Sequence, residues 1–240
     1  MDILTASLVS FLVTLVLTPV HIKTFMAMGI VGEDRHKLQR PKVPEMGGIA
    51  IFLGIAASYI CILSFDDAPL AGYALFSICI VFLVGVIDDI YAIRQRTKLA
   101  LLAFSAVPLL FYGEGIIDLS FVKIGYGPLY AIMAIIGMAA ASNLTNILEG
   151  FNGESIGLGV ISTGFMIADS WLLGNETIVW ILFPVFASLL AFLLFNRYPS
   201  KVFPGDTGTL LIGASIGISV ILGGHVLLGV IVLMPQIIEF

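Results

Sequence analysis

The sequence predicts an all-α membrane protein that crosses the bilayer several times. Of its 240 residues, 59% are hydrophobic and only 11% are charged, and the mean hydropathy is +1.10. A soluble domain carries charge on roughly a quarter of its residues, so this chain has too few polar groups to cover a globule in water. Apolar stretches of about 20 residues, the length that spans a bilayer, recur along the whole sequence.

Polar residues, glycines and prolines divide the apolar stretches into nine predicted spans. These lie at residues 3–22, 47–65, 70–88, 99–113, 127–146, 155–173, 177–195, 207–223 and 225–240. Ten of the eleven Lys and Arg residues fall on the side reached after spans 1, 3, 5 and 7, and only Lys123 falls on the other. Basic loops mark the cytoplasmic side of a membrane, so the N-terminus is predicted to face outward or into a lumen.

Four polar segments lie on that predicted cytoplasmic face, each where a span begins or ends. They occupy residues 33–48, 88–98, 143–157 and 196–208. Four loops that converge on one membrane face predict a cavity that is open to the cytoplasm and, at its side, to lipid. This cavity is the candidate active site.

Carboxylates and amides in these segments indicate a divalent-cation site. Four acids lie within about one turn of a predicted helix end: Asp88, Asp89, Glu149 and Asp206. Asn143 and Asn146 are three residues apart and therefore share a helix face. Mg²⁺ takes one or two carboxylates and completes its shell with water and substrate phosphates. Interhelical hydrogen bonding is an equally good explanation of the two asparagines, and pairing with nearby arginines is an alternative for the aspartates.

Basic residues and glycines beside these acids favour an anionic substrate. Arg94, Arg96 and Lys98 are either ordinary cytoplasmic anchors or groups that neutralise phosphates. Glycines in the third and fourth segments would let the backbone approach a ligand closely. The residues thus predict a membrane enzyme that handles a phosphorylated substrate, with a cation-coupled transporter as the alternative. A transporter places its acids near the bilayer midplane, whereas these acids cluster at one end, which favours the enzyme.

Three motifs resemble the polyprenyl-phosphate N-acetylhexosamine-1-phosphate transferase family. They are the tandem aspartates at 88–89, the segment NLTNILEGFNG at 143–153 and the segment YPSKVFPGDTG at 198–208. The resemblance runs from about residue 10 to the last residue. Within the family, the second and third motifs are more similar to the eukaryotic and archaeal branch that uses UDP-GlcNAc and dolichyl phosphate.

The resemblance implies roles for the charged residues. Asp206 and Asn146 would hold Mg²⁺, with Mn²⁺ as a substitute, across the donor diphosphate. Asp88 and Asp89 would position or deprotonate the lipid phosphate, and Lys98 would neutralise the donor phosphates.

The resemblance also implies the substrate contacts. Gly150, Asn152 and Phe203 would frame the uracil ring, Glu45 would contact the nucleoside, and Asn143 would complete the substrate-binding set. Residues 100–108 would line a groove for the lipid chain.

The implied reaction transfers GlcNAc-1-phosphate from UDP-GlcNAc to dolichyl or another polyprenyl phosphate and releases UMP. Another UDP-N-acetylhexosamine or undecaprenyl phosphate is the alternative substrate. The expected location is the plasma membrane if the chain is archaeal and the endoplasmic reticulum if it is eukaryotic. A homodimer is compatible with this reading, and no nucleic-acid partner is expected.

Two departures from the family pattern are notable. Ala92 stands where the family often has Asp or Asn. Family members have ten spans, with a cytoplasmic loop after the ninth, whereas this sequence stops at MPQIIEF. We therefore expect a single transferase domain over 1–240 that is truncated at its C-terminus.

Overall fold

A computed structural model describes residues 2–34, 37, 39–65, 69–112, 116–118, 122–147 and 151–239. Within them the chain forms eleven helices, listed in order: α1 (Ile3–Met28), α2 (Gly48–Phe65), α3 (Pro69–Tyr91), α4 (Gln95–Phe104), α5 (Val107–Leu110), α6 (Pro128–Ile147), α7 (Glu154–Leu172), α8 (Glu176–Asn196), α9 (Gly205–Gly223), α10 (Val226–Val232) and α11 (Met234–Glu239). Two antiparallel pairs of short strands accompany them: β1 (Val31–Glu33) with β2 (Lys42–Pro44), and β3 (Ile117–Asp118) with β4 (Lys123–Ile124). The predicted all-α polytopic class is confirmed.

Seven of the described helices are long and apolar enough to cross a membrane, namely α1, α2, α3, α6, α7, α8 and α9. They correspond to seven of the nine predicted spans. The other two predicted spans, at 99–113 and 225–240, are each divided into two shorter helices, α4–α5 and α10–α11. The second helix of each pair begins beside a proline, Pro108 or Pro235, whose ring clashes with the carbonyl four residues earlier and which lacks an N–H.

Helix α9 forms the centre of the bundle. It packs against α3, α6, α8 and α2, and 89% of its most apolar 18-residue window is buried. Glycines permit this close packing: a Cβ on Gly48 would meet the backbone of Gly208, and a Cβ on Gly213 would meet the carbonyl of Ala141. The N-terminus of α9 is therefore held in position by neighbouring helices rather than by lipid.

Hydroxyl groups join α1, α2 and α8. Thr14 and Ser188 share a 2.7 Å hydrogen bond, and Ser10 donates to the carbonyl of Pro184 at 2.7 Å. Pro184 lies inside α8 without ending it. Small residues with hydroxyls are frequent at membrane helix interfaces because they let backbones approach and supply hydrogen bonds.

Backbone hydrogen bonds join the loop before α9 to the β1–β2 hairpin. The N–H of Phe203 donates to the carbonyl of Pro44 at 2.8 Å, and the N–H of Gly47 donates to the carbonyl of Phe203 at 2.9 Å. The N–H of Gly48 donates to the carbonyl of Pro204 at 2.8 Å. These bonds place the hairpin at the end of the bundle that carries the N-terminus of α9, and we call this end the site end.

Candidate active site

Four helices bring the predicted site residues around one buried ammonium group. Lys98, in the first turn of α4, is only 4% exposed. Its Nζ lies 2.5 Å from Asp88 Oδ2, 2.8 Å from Asn146 Oδ1 and 3.3 Å from Asp206 Oδ1. We call Asp88, Lys98, Asn146 and Asp206 the lysine cluster. A buried cation requires opposite charge and several hydrogen bonds, and the cluster supplies both.

Asp88 reaches Lys98 because α3 ends in a tight turn. Ala92 has the left-handed φ of 48°, and the N–H of Ile93 donates to Asp88 Oδ1 at 2.9 Å. The chain thus reverses directly after α3, and α4 begins beside the aspartate that its lysine pairs with. Ala92, where the family often has a polar residue, forms this turn.

Hydrogen bonds fix the orientation of Asn146. Its Nδ2 donates to Asp206 Oδ1 and, at 2.9 Å, to Thr209 Oγ1, which lies one turn further along α9. Since a carboxylate only accepts, Nδ2 must face Asp206, and Oδ1 is left to accept from Lys98. The amide therefore bridges the carboxylate and the ammonium group.

Asp89 contacts a different partner from its neighbour Asp88. Its carboxylate accepts the N–H of Asp206 at 2.8 Å, the N–H of Thr207 at 3.0 Å and the Thr207 hydroxyl. Gly205 has a φ of 68°, and a Cβ there would lie 2.9 Å from both carboxylate oxygens. Asp89 thus caps the N-terminus of α9, where unpaired N–H groups and the helix dipole favour a negative charge.

Three further described candidates lie around the β1–β2 hairpin. Asn152 donates from Nδ2 to Asp34 Oδ2 at 3.0 Å. Glu45 follows β2, and a Cβ on Gly32 would collide with its carboxyl group. Loss of solvent around this side chain raises the pKa of Glu45 above its ordinary value. Phe203 is half-buried, and its backbone is bonded to this hairpin.

The structure thus brings four predicted residues together in the lysine cluster and places Asp89 behind them as a helix cap. Asn143, one turn before Asn146, accepts a hydrogen bond from Gln95 Nε2 at 2.7 Å. Gly150 and Glu149 lie outside the described residues. The roles assigned to all these residues stay predictions.

Sequence reasoning missed Asp34, Gln95 and Thr209. Asp34 lies in the first of the four polar segments and was not singled out there, yet it is 2% exposed. Thr209 lies three residues after Asp206, and this helical spacing was the only available signal for its contact with the site.

Part of the predicted lipid groove lines a cavity. Phe104, Val107 and Pro108 border an apolar cavity of about 430 Å³, together with residues of α3 such as Tyr73 and Phe76. Phe104 ends α4, and Val107 and Pro108 begin α5, so the side chains at the break between these helices line the cavity. The lipid-binding role of residues 100–108 stays a prediction.

The donor atoms of the lysine cluster suit a hard cation. Within the described part of the chain, no three His, Cys, Asp or Glu side chains are placed to hold a metal ion by themselves. Asp88 Oδ2, Asn146 Oδ1 and Asp206 Oδ1 nevertheless converge on one positive charge. Two carboxylates and an amide oxygen fit Mg²⁺, which keeps several ligand positions for water and phosphate.

Fold and site together define a polytopic membrane protein with a charged site at the ends of its helices. Residues 71–224 match the model of glycosyl transferase family 4. A relative from Saccharolobus solfataricus is 35% identical over 99% of this chain and 76% of its own length. The chain therefore belongs to glycosyl transferase family 4, as its motifs predicted, and the transporter alternative is set aside.

Further relatives are found in both archaea and bacteria. One from Sulfolobus acidocaldarius is 35% identical over 100% of this chain and 77% of its own length. Both archaeal relatives carry the provisional name UDP-N-acetylglucosamine–dolichyl-phosphate N-acetylglucosaminephosphotransferase. The phospho-N-acetylmuramoyl-pentapeptide-transferase of Borreliella afzelii is 29% identical over 90% of this chain and 73% of its own length.

Proposed function

We propose that this chain transfers GlcNAc-1-phosphate from UDP-GlcNAc to dolichyl phosphate, releasing UMP. The observation that carries the proposal is the lysine cluster, in which a buried ammonium group and two carboxylates meet at the ends of membrane helices. At such a position a water-soluble nucleotide sugar and a membrane-anchored phosphate can both reach the same groups. The names of the archaeal relatives support the choice of substrates.

The reaction forms one phosphorus–oxygen bond and breaks another. An oxygen of the lipid phosphate attacks the phosphorus that carries the sugar, and the bond from that phosphorus to the UMP oxygen breaks. The products are a pyrophosphate-linked lipid sugar and UMP. Negative charge grows on the departing UMP, and a fixed positive group in a site sheltered from water stabilises that charge effectively. Lys98 has the position and the burial for this role.

Mg²⁺ is the proposed cofactor, with Mn²⁺ as a substitute. Asp206 and Asn146 would hold it through their side-chain oxygens. When bound, the metal would neutralise the donor diphosphate and help to orient it. Because Asn146 and Asp206 already bond each other and Lys98, the protein groups that face the diphosphate are pre-arranged.

The two aspartates receive separate roles. Asp88 pairs with Lys98 inside the lysine cluster, so Asp88 is the aspartate that would position the lipid phosphate or accept its proton. Asp89 would act indirectly, since its carboxylate holds the backbone of Asp206 and Thr207. The nucleoside would lie towards the hairpin, against Phe203, Asn152 and Glu45, with Gly150 and Asn143 as further predicted contacts.

The site end is proposed to face the cytoplasm, where UDP-sugars are available. The basic residues of the polar segments support this orientation. The lipid acceptor would approach from the bilayer, and a homodimer stays a prediction.

The test is transfer of labelled GlcNAc-1-phosphate from UDP-GlcNAc to dolichyl phosphate by the purified chain in detergent with Mg²⁺. We expect lipid-linked product that is lost with EDTA and reduced about 10²–10³-fold by Asp206→Asn, as when one charge-stabilising group is removed from an active site. Asp169→Asn is the matched control. It makes the same change from acid to amide, but near the C-terminus of α7.

Failure of the wild-type chain to make product with any UDP-N-acetylhexosamine, on dolichyl or undecaprenyl phosphate, would overturn the proposal. Product with a different sugar or lipid would keep the reaction and change only the substrates. Equal loss of activity in Asp206→Asn and Asp169→Asn would show that the lysine cluster has no specific role in the reaction.

A further inference from the structure

The ammonium group of Lys98 lies at the point on which the proposed metal-ligand oxygens converge. Asn146 Oδ1 lies 2.8 Å from Nζ, and Asp206 Oδ1 lies 3.3 Å from it. The Asn146 amide has only one oxygen, and its nitrogen is already turned towards Asp206 and Thr209. This one oxygen must therefore serve both Lys98 and any metal ion that Asn146 holds.

Asp88 holds the ammonium group from a more enclosed side. Its Oδ2 lies 2.5 Å from Nζ, and its Oδ1 accepts the N–H of Ile93. The side chains of Lys98 and Asp88 are 5% and 7% exposed, whereas that of Asp206 is 28% exposed. The lysine cluster is thus most open at Asp206, and a ligand reaches its oxygens from that side.

Two cations on the same buried oxygens repel each other. One ammonium group already faces two carboxylates in the cluster, so its charge is balanced there. A divalent ion on the same oxygens would bring like charges together where little water screens them. Tight metal binding therefore requires Lys98 to leave these oxygens, and the flexible four-carbon stem of a lysine permits that movement.

We infer that Lys98 competes with the divalent cation for the oxygens of Asn146 and Asp206, so that the site binds metal tightly only together with a diphosphate. The inference rests on the proposed function, in which these two residues hold Mg²⁺. A diphosphate supplies oxygens that complete the metal's shell and negative charge that accepts the displaced ammonium group. Lys98 therefore balances the carboxylates before the substrate binds and the donor phosphates afterwards.

The test measures binding of Mn²⁺ alone to the purified full chain in detergent, from the EPR signal of free Mn²⁺ and without nucleotide. We expect weak binding to the wild type and binding about tenfold tighter to Lys98→Met, an ordinary size for coupling between two bound groups. Mg²⁺ alone should raise the melting temperature of Lys98→Met and leave that of the wild type nearly unchanged, because only the variant binds the free ion well.

Two further variants separate competition at these atoms from other effects. Arg96→Met removes a positive charge from an exposed position on the same helix, so it should leave the Mn²⁺ affinity unchanged. Lys98→Gln is neutral but keeps an N–H donor for Asp88, which guards against a Lys98→Met chain that does not fold, and it should also tighten Mn²⁺ binding. Equal affinity in the wild type and the folded Lys98 variants overturns the inference, and so does an equal gain in Arg96→Met.

Linkage between metal and diphosphate gives a second measurement. UDP should tighten Mn²⁺ binding to the wild type beyond the formation of the Mn²⁺–UDP complex in solution, and Mn²⁺ should tighten UDP binding by the same factor. This factor should be smaller in Lys98→Met, since the metal no longer has to displace an ammonium group. A factor that the substitution leaves unchanged contradicts the competition.

The two proposals can fail separately. A wild-type chain that makes no product with any of the donor sugars and lipids overturns the proposed function. A wild-type chain that transfers the sugar phosphate, while neither Lys98 variant changes the Mn²⁺ affinity, overturns only the competition.

Discussion

The lysine cluster and the hydrogen-bonded residues Asp34 and Asn152, which we call the hairpin pair, are two polar arrangements at the same end of one bundle, built in different ways. The cluster takes one side chain from each of α3, α4, α6 and α9, so its distances depend on helix packing. Asp34 and Asn152 come from two loops and share a 3.0 Å hydrogen bond. Helices thus fix the charges that the proposed chemistry requires, and loops carry groups that are proposed to contact the nucleoside.

This difference predicts different consequences of mutation. Removal of a group from the cluster leaves another buried charge unpaired, so stability and rate should fall together. Changes at the hairpin pair should affect nucleotide binding more than the rate. The predictions below test this division, beginning with the largest expected effect.

Lys98→Met should have the largest effect. The substitution leaves Asp88 and Asp206 without their shared cation, and we expect kcat to fall about 10²–10³-fold with a lower melting temperature. Arg96→Met is the control, since Arg96 is exposed on the same helix. A Lys98→Met variant that retains a tenth or more of the wild-type kcat would contradict the proposed role of the cluster.

Asp89→Asn should have an intermediate effect. The asparagine side chain has only one acceptor oxygen for the N–H groups of α9, and it carries no negative charge at the N-terminus of that helix. We therefore expect the free energy of unfolding to fall by about 1–2 kcal/mol. Transfer should fall less than in Lys98→Met, and thermal unfolding in detergent checks the stability. Abolished transfer with an unchanged melting temperature would show instead that Asp89 acts in the chemistry.

Glu45→Gln should have the smallest effect, visible only as a change in pH dependence. Because the pKa of Glu45 is raised, the carboxyl group becomes protonated at a higher pH than an ordinary glutamate. As the pH falls through this range the residue loses its charge, and the KM for UDP-GlcNAc should rise a few-fold. The variant carries no titrating group there, so its KM should be flat across the same range. An identical acid limb in both proteins would exclude Glu45 from the nucleoside contact.

The sequence predicted the helices better than their interruptions. Length and apolarity located the seven long helices, because a bilayer imposes both properties on any helix that crosses it. The sequence alone does not show which prolines interrupt a helix. Pro19 and Pro184 lie inside continuous helices, whereas Pro108 and Pro235 lie at breaks between helices. At Pro184 a hydroxyl from another helix bonds the backbone, and such tertiary support is not visible in the local sequence.

Within the candidate site, residue types were predictable and pairings were not. The acids, amides and lysine stood out because charge near a membrane helix end is rare. The tandem aspartates looked equivalent, yet successive helical residues point in different directions, so Asp88 faces Lys98 while Asp89 faces α9. The contact of Asp34 with Asn152 could be recognised only after folding, since the two residues lie far apart in the chain.

The burial of α9 separates the proposed chemistry from the surrounding lipid. Other helices cover almost all of this helix, whereas only 28% of the corresponding window of α1 is buried. A change in bilayer thickness or lipid composition would act first on α1 and the other peripheral helices. Asp206, carried on the central helix, should keep its position relative to Asn146 and Lys98 while the periphery adjusts. The protein can therefore remain in fluid surroundings while its charged groups keep the fixed spacing of a rigid interior.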